Sequence, residues 1–137
     1  MVVDQELLDR LFEQAAASPR KRMNYDMRTS PEDSSQRMLN ALLPGTNVPI
    51  HRHPNSIENV ILIKGKMYEI LYDAVEENGT VVLHETERIY LCPAEGRFGC
   101  QVPKGVWHTV EVIEPSVIYE AKDGKYGEDG SGMFMEG

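Results

Sequence analysis

Residues 45–65 read GTNVPIHRHPNSIENVILIKG. Within this stretch His51 and His53 stand two residues apart. Side chains alternate along a strand, so both imidazoles project from one face, close enough to share one metal ion. The Pro54-Asn55 pair then turns the chain back. Glu58 opens the next strand and approaches the same point from the side. Gly45 and Gly65 bracket the hairpin where tight turns need glycine.

The protein has four histidines. A third falls in Pro103-x-Gly105-x2-His108, a proline–glycine turn leading into a strand on which His108 takes an inward position. His51, His53, Glu58 and His108 together form a candidate metal site of three neutral imidazoles and one carboxylate. Such a mixed nitrogen–oxygen set leaves room for water or substrate and suits Fe(II), Mn(II), Ni(II), Cu(II) or Zn(II). His84 lies among acids in Leu83-His84-Glu85 and reads as a surface residue.

Working outward, the chain from Arg37 onward alternates short apolar runs with turn signals, the spacing of an all-β sandwich or barrel. Strands are expected at 37–43, 47–52, 58–64, 67–75, 80–85, 87–91, 97–102, 106–113 and 116–122. Asn78-Gly79 is a strong hairpin signal, because both residues tolerate positive φ. If Glu58 points inward, so do Val60, Leu62 and Lys64; if His108 does, so do Val106, Val110 and Val112. The ligands then sit at the end of apolar inner faces, a dry pocket with few polar groups. Trp107 faces away and packs elsewhere. Ile61 and Ile63 make the opposite face apolar as well. The N-terminal helix or a second subunit must cover it, and a homodimer is the preferred reading.

Ahead of the barrel, Leu7, Leu8, Leu11, Phe12, Ala15 and Ala16 recur at helical spacing and predict a helix over 4–17, stopped at Ser18-Pro19. Ser30-Pro31-Glu32-Asp33 signals a second short helix through its cap, its first-turn proline and its acids. Residues 18–29 between them read as irregular. The organisation is therefore 1–36, a helical segment packing on the barrel; 37–122, the barrel; and 123–137, a glycine-rich tail. The tail reads as a frayed end. The sharper alternative is a flap over the cavity anchored by Tyr126, Met133 and Phe134.

Composition bounds the function. The 137 residues are one domain's worth, 41% apolar and 26% charged, an ordinary globular balance that excludes wholesale disorder. Fourteen basic against 22 acidic side chains give a net charge of −8. Nucleic acid and anionic membranes are disfavoured, because binding them needs clustered cations. No apolar run approaches the ~20 residues of a membrane span. The acidic, amphipathic N-terminus is no signal peptide, so the expected location is cytoplasmic. Cys92 and Cys100 read as reduced, buried small hydrophobes. No nucleophile elbow, P-loop or dinucleotide fingerprint is present. Arg37, Asn24, Tyr119 and Lys122 are candidates for binding an anionic or sugar-like substrate, Arg37 first, because a guanidinium grips a carboxylate or phosphate with two hydrogen bonds.

The first element matches the cupin motif G-x5-H-x-H-x3–4-E-x6-G at every defined position, and the second resembles the P-x-G-x2-H part of the second cupin motif. It departs at Val112, where cupins often carry an asparagine that is not a ligand, and at Gly99, which lies too close to Pro103. Further stretches resemble the WbuC-type cupin metalloproteins: Ser18-Pro19-Arg20, Gln36-Arg37-Met38-Leu39-Asn40-Ala41, Pro44-Gly45-Thr46, His51-Arg52-His53-Pro54, residues 103–109, and Lys122…Gly124…Tyr126. Members of that family usually carry a histidine a few residues after the position of Asn24. This chain has Asp26, Met27 and Arg28 there, so that residue's role does not carry over. The resemblance implies a mainly β protein: a small cupin jelly-roll barrel with one or two short N-terminal helices, one divalent transition metal ion inside, and a place in polysaccharide or O-antigen biosynthesis.

The leading expectation is thus a metal-dependent enzyme acting on a sugar or polysaccharide-precursor type small molecule, with isomerase, lyase and dioxygenase chemistry all open. The alternative is a non-catalytic metal- or ligand-binding module, sensory or accessory. A metal-free epimerase ranks third, because it would leave the His-x-His pair without a use.

Overall fold

The computed structural model describes residues 1–124 and 132–134. Helix α1 (Gln5–Ala17) is followed by strands β1 (Arg22–Asp26), β2 (Ser35–Leu42), β3 (His51–Arg52), β4 (Glu58–Glu77), β5 (Thr80–Leu91), β6 (Gly99–Val102), β7 (Trp107–Asp123) and β8 (Gly132–Met133). A 3-10 turn, Pro93–Glu95, links β5 to β6. All pairings are antiparallel.

Two long strands build the barrel. The first half of β4 pairs with the last part of β7 (Leu62 opposite Ile118), and its second half with the start of β7 (Leu71 opposite His108). Each strand therefore serves both halves of a curled sheet. The bend falls at Gly65, whose φ is +113° and whose missing Cβ leaves room for Ser116 and the Pro115 carbonyl. Register shifts between Leu62 and Met67 mark the same place. They overturn the expected inward Lys64, which is exposed. A bulge turns a strand's faces over, so inward positions are even before Gly65 and odd after it, as buried Val60, Leu62, Met67, Glu69 and Leu71 show.

The bend also explains why the strands expected at 58–64 and 67–75, and at 106–113 and 116–122, are each one continuous strand. Those expected at 80–85 and 87–91 are likewise one, with Thr86 bulged opposite Leu71 and Tyr72. Asn78 and Gly79 do form the β4–β5 turn, at φ +52° and +81°.

Two apolar cores lie on opposite faces of the β1-β2-β7 sheet. Inside the barrel Leu42, Val60, Leu62, Met67, Leu71, Leu91, Val102 and Ile118 pack together. Outside it, α1 lays Leu7, Leu8, Leu11 and Ala15 on Leu39, Ala41 and Val117. Each large side chain closed off this way contributes roughly 1.5–3 kcal/mol. Asp4 caps α1, its carboxylate accepting the Leu7 N–H at 2.9 Å.

Two expectations for the N-terminal segment are corrected. Residues 22–26, read as irregular, form β1 along the edge of β2. The second helix at Ser30–Asp33 is a turn. There the Asp33 carboxylate accepts the Thr29 and Ser35 backbone N–H groups and the Thr29 hydroxyl, a local arrangement that competes with helix. Helix α1 covers β1 and β2 and leaves Ile61 and Ile63 46% and 38% exposed. Among the described residues no helix is long and apolar enough to cross a membrane.

Candidate metal centre

The two sequence elements meet because β3 and β7 pair at one point, His51 opposite His108. His53 follows directly, and its carbonyl accepts the Gly105 N–H at 2.9 Å. Gly105 takes φ +77° in the Pro103-Lys104-Gly105 turn, so the glycine of the second element pins the second histidine of the first. Glu58 begins β4 opposite Val102. One potential ligand atom from each of His51, His53, Glu58 and His108 lies within 4.8 Å of all the others. The three rings stand 4.2–5.3 Å apart, centroid to centroid.

Backbone carbonyls set two of the tautomers. The Nδ1 of His51 lies 2.9 Å from the Pro49 carbonyl oxygen and that of His108 lies 3.0 Å from the Val106 oxygen. A carbonyl only accepts, so Nδ1 carries the proton in both rings and Nε2 keeps its lone pair, the arrangement of a metal-ligating histidine. The Nε2 of His108 is buried and has no hydrogen-bond partner among the described residues. Glu58 Oε2 lies 2.8 Å from His53 Nε2, and Oε1 lies 3.7 Å from His108 Nε2.

The electrostatics agree with these roles. Burial, seconded by the neighbouring His108, lowers His51 to about 4, so its ring is neutral at neutral pH. Burial opposes ionisation of Glu58, and it is His108 and His53 in their protonated form, turning an N–H towards it, that hold its carboxyl well below the usual range. Three imidazoles and one carboxylate, all but His51 under 5% exposed, leave a buried negative charge. A divalent cation held there would offset that charge and take up the lone pair on His108 Nε2.

The four donors open onto a cavity of about 350 Å³. Of the substrate-binding candidates, Asn24 lines it. Arg37 sits on the α1 side of β2 and pairs with Asp33 at 2.6 Å. Tyr119 packs in the α1 cluster. Lys122 is buried and donates to the Gly124 carbonyl. Arg37, Tyr119 and Lys122 are not among the cavity's lining residues. Met133 lines the cavity from β8, which pairs with β3. Phe134 packs edge-on against Trp107, whose ring also carries Arg52 at 4.6 Å. Tyr126, the third expected flap anchor, lies outside the described residues. His84 is exposed and pairs with Glu77 at 2.8 Å.

The expected dry pocket is corrected. Gln36, Asn40, Glu69 and Glu120 join the ligands on its wall. Burial, then the nearby charge of Glu58, raises Glu69 well above the usual carboxylate value and pushes Glu120 up to about 8. Glu69 announced itself in Met67-Tyr68-Glu69-Ile70-Leu71, a charge at an inward position between apolar residues. The bulge at Gly65 hid it, because parity counted from Glu58 sends Glu69 outward.

Comparison with known proteins bears on the fold. A family model described as a domain of unknown function (DUF6016) matches residues 3–87. That stretch holds His51, His53 and Glu58 and ends before His108. No curated protein matches. Among solved structures, an oxalate oxidase in complex with the substrate analogue glycolate is similar at TM-score 0.58 and 11% identity, covering 85% of this chain and 57% of its own. KdgF from Halomonas sp. is similar at 0.57 and 15%, covering 79% and 82%. A cupin superfamily protein from Desulfitobacterium hafniense DCB-2 follows at 0.54 and 12%, covering 76% and 78%. The chain thus spans little more than half of the oxalate oxidase it matches. At these identities the likeness carries the fold alone, and that fold is a small cupin jelly-roll.

Proposed function

The chain belongs to the family described as domain of unknown function DUF6016, and we propose that its barrel houses a divalent transition-metal centre, held by His51, His53, Glu58 and His108, that serves a small-molecule enzyme of the cytoplasm. The observation that carries this reading is the convergence of four ligand atoms within 4.8 Å on the wall of a cavity. Four protein donors leave positions free only on an ion that takes five or six ligands, and the cavity gives a small molecule access to them.

A bound ion of this class acts as a Lewis acid or activates oxygen. The chain's own residues do the rest. His51 and His108 are fixed by their carbonyl partners, so their lone pairs point at one place. The carboxyls of Glu69 and Glu120, both pushed above the usual carboxylate value by burial and the charge of Glu58, are groups able to give a proton to a bound molecule or take one from it. Their presence favours an enzyme over a passive binding module. The segments resembling WbuC-type proteins support a sugar or polysaccharide-precursor substrate. The exposed Ile61 and Ile63 support a homodimer through that face.

The test is elemental analysis of protein purified from its native host, beside a His51→Ala/His108→Ala variant. One equivalent of a transition metal, lost in the variant, is the expected result. A metal-free native protein would end the reading. Light scattering checks the dimer.

A further inference from the structure

The cavity wall holds more buried polarity than the four candidate ligands account for. Glu69 is 1% exposed and its Oε2 has no hydrogen-bond partner among the described residues; the same holds for Oε1 of Gln36, which is 5% exposed, and for Oδ1 of Asn40. Buried polar atoms are paired almost without exception, because leaving one unpaired forfeits its hydration. Three unpaired oxygens around one cavity mark a place where partners arrive from outside.

The chemistry of the atoms says what those partners are. The Asn40 amide is oriented by its Nδ2, which donates to Glu120 Oε1 at 2.7 Å, so its oxygen is the group left over. The Gln36 oxygen is likewise an acceptor. A ligand that satisfies both brings donors. Glu69, whose ionisation is disfavoured by its burial and by the charge of Glu58, offers an acceptor and, when it carries its proton, a donor as well. A hydroxyl group, itself donor and acceptor, matches all three. A carboxylate does not: it brings acceptors to acceptors and negative charge towards Glu58.

We infer that Gln36, Asn40 and Glu69 form a binding subsite for a neutral, polyhydroxylated small molecule, whose hydroxyl groups their side-chain oxygens bind. The inference deepens the small-molecule reading above and rests on it for the role of the cavity. It does not depend on which ion His51, His53, Glu58 and His108 hold. The volume, about 350 Å³, lies at the small end of ligand pockets, which suits one compact polyol or monosaccharide.

The experiment is an NMR titration of the zinc-loaded, ¹⁵N-labelled protein, following the side-chain amide signals of Gln36 and Asn40. Two probes are used: xylitol, a neutral polyol, and malonate, a small dicarboxylate. Xylitol should move both amide signals saturably while malonate leaves them in place. Gln36→Leu should weaken xylitol about tenfold, the loss of one good hydrogen bond. It should also raise the melting temperature, because an unpaired buried group is gone. Movement with malonate and not with xylitol overturns the inference in favour of an anion site built on Arg20 and Arg22, which line the same cavity. No movement with either probe up to molar concentration overturns it outright. So does a Gln36→Leu protein that melts lower and binds xylitol unchanged, since the glutamine is then part of the scaffold. Zinc content is measured on the same sample. Xylitol binding by a protein that takes up no zinc defeats the metal reading and spares this one, and a zinc-loaded protein indifferent to xylitol does the reverse.

Discussion

Strand β2 shows two surfaces one pleat apart. On one side Leu39 and Ala41, both fully buried, close against α1 and Val117. On the other, Gln36 and Asn40 face a cavity and keep oxygens without a hydrogen-bond partner among the described residues. The first face is packed in the way that stabilises a domain. The second gives up packing and hydrogen bonds, which is what a surface reserved for a ligand looks like from inside. Side-chain alternation lets one strand do both, because neighbours in sequence never share an environment.

The comparison breaks most sharply at the candidate ligands. His53→Ala should lower metal affinity by at least about a hundredfold, since one of four bonds is gone. The fold should lose only ~1–2 kcal/mol, most of it forfeited metal binding. Circular dichroism and metal content on one preparation decide it, and an unfolded variant would make the ion part of the scaffold. On the α1 side the pattern should invert. Leu11→Ala should cost about 2–5 kcal/mol by opening a cavity while metal affinity holds, as urea unfolding and zinc titration would show.

Acid should act through the candidate ligands. Above pH 6.5, the ordinary value, His51 is neutral both folded and unfolded. As pH falls the unfolded chain takes the proton first and the folded one holds out to about 4. Stability of the metal-free protein should therefore drop across that window, by up to about 3 kcal/mol. His51→Gln should flatten the slope in urea titrations run pH by pH. The smallest effect belongs to Arg37, whose pair with Asp33 is partly exposed. Arg37→Ala should cost no more than ~1 kcal/mol and leave both metal and ligand binding untouched, which isothermal titration would confirm.

Much of this was legible in the chain. His51, His53, Glu58 and His108 were readable because period-two alternation and two turn motifs are local facts. Helix α1 was readable from its apolar stripe and the proline that follows it. What stayed hidden depended on register. Arg37 read as a cavity residue, because nothing local says which face of β2 the helix will cover. Glu69 was lost through a bulge that moves every later side chain to the other face. The turn at Ser30–Asp33 carried a good helix cap and lost to an aspartate whose partners, Thr29, Ser35 and Arg37, lie in a loop and on the start of a strand.

The bond between the His53 carbonyl and the Gly105 N–H spans 52 positions of chain, from 53 to 105. Its consequence lies in the order of events during folding. His51, His53 and Glu58 leave the ribosome early and together, yet their fourth companion is His108, brought in by a strand that must first pair along β4. Distant contacts of this kind form late, after the entropy of closing a long loop has been met. Full affinity for an ion therefore arises only when the barrel has closed. Early in synthesis the nascent chain would offer three candidate donors on a segment whose strand partners are not yet made, a weak and unselective trap, so selective binding of an ion would wait for the finished barrel.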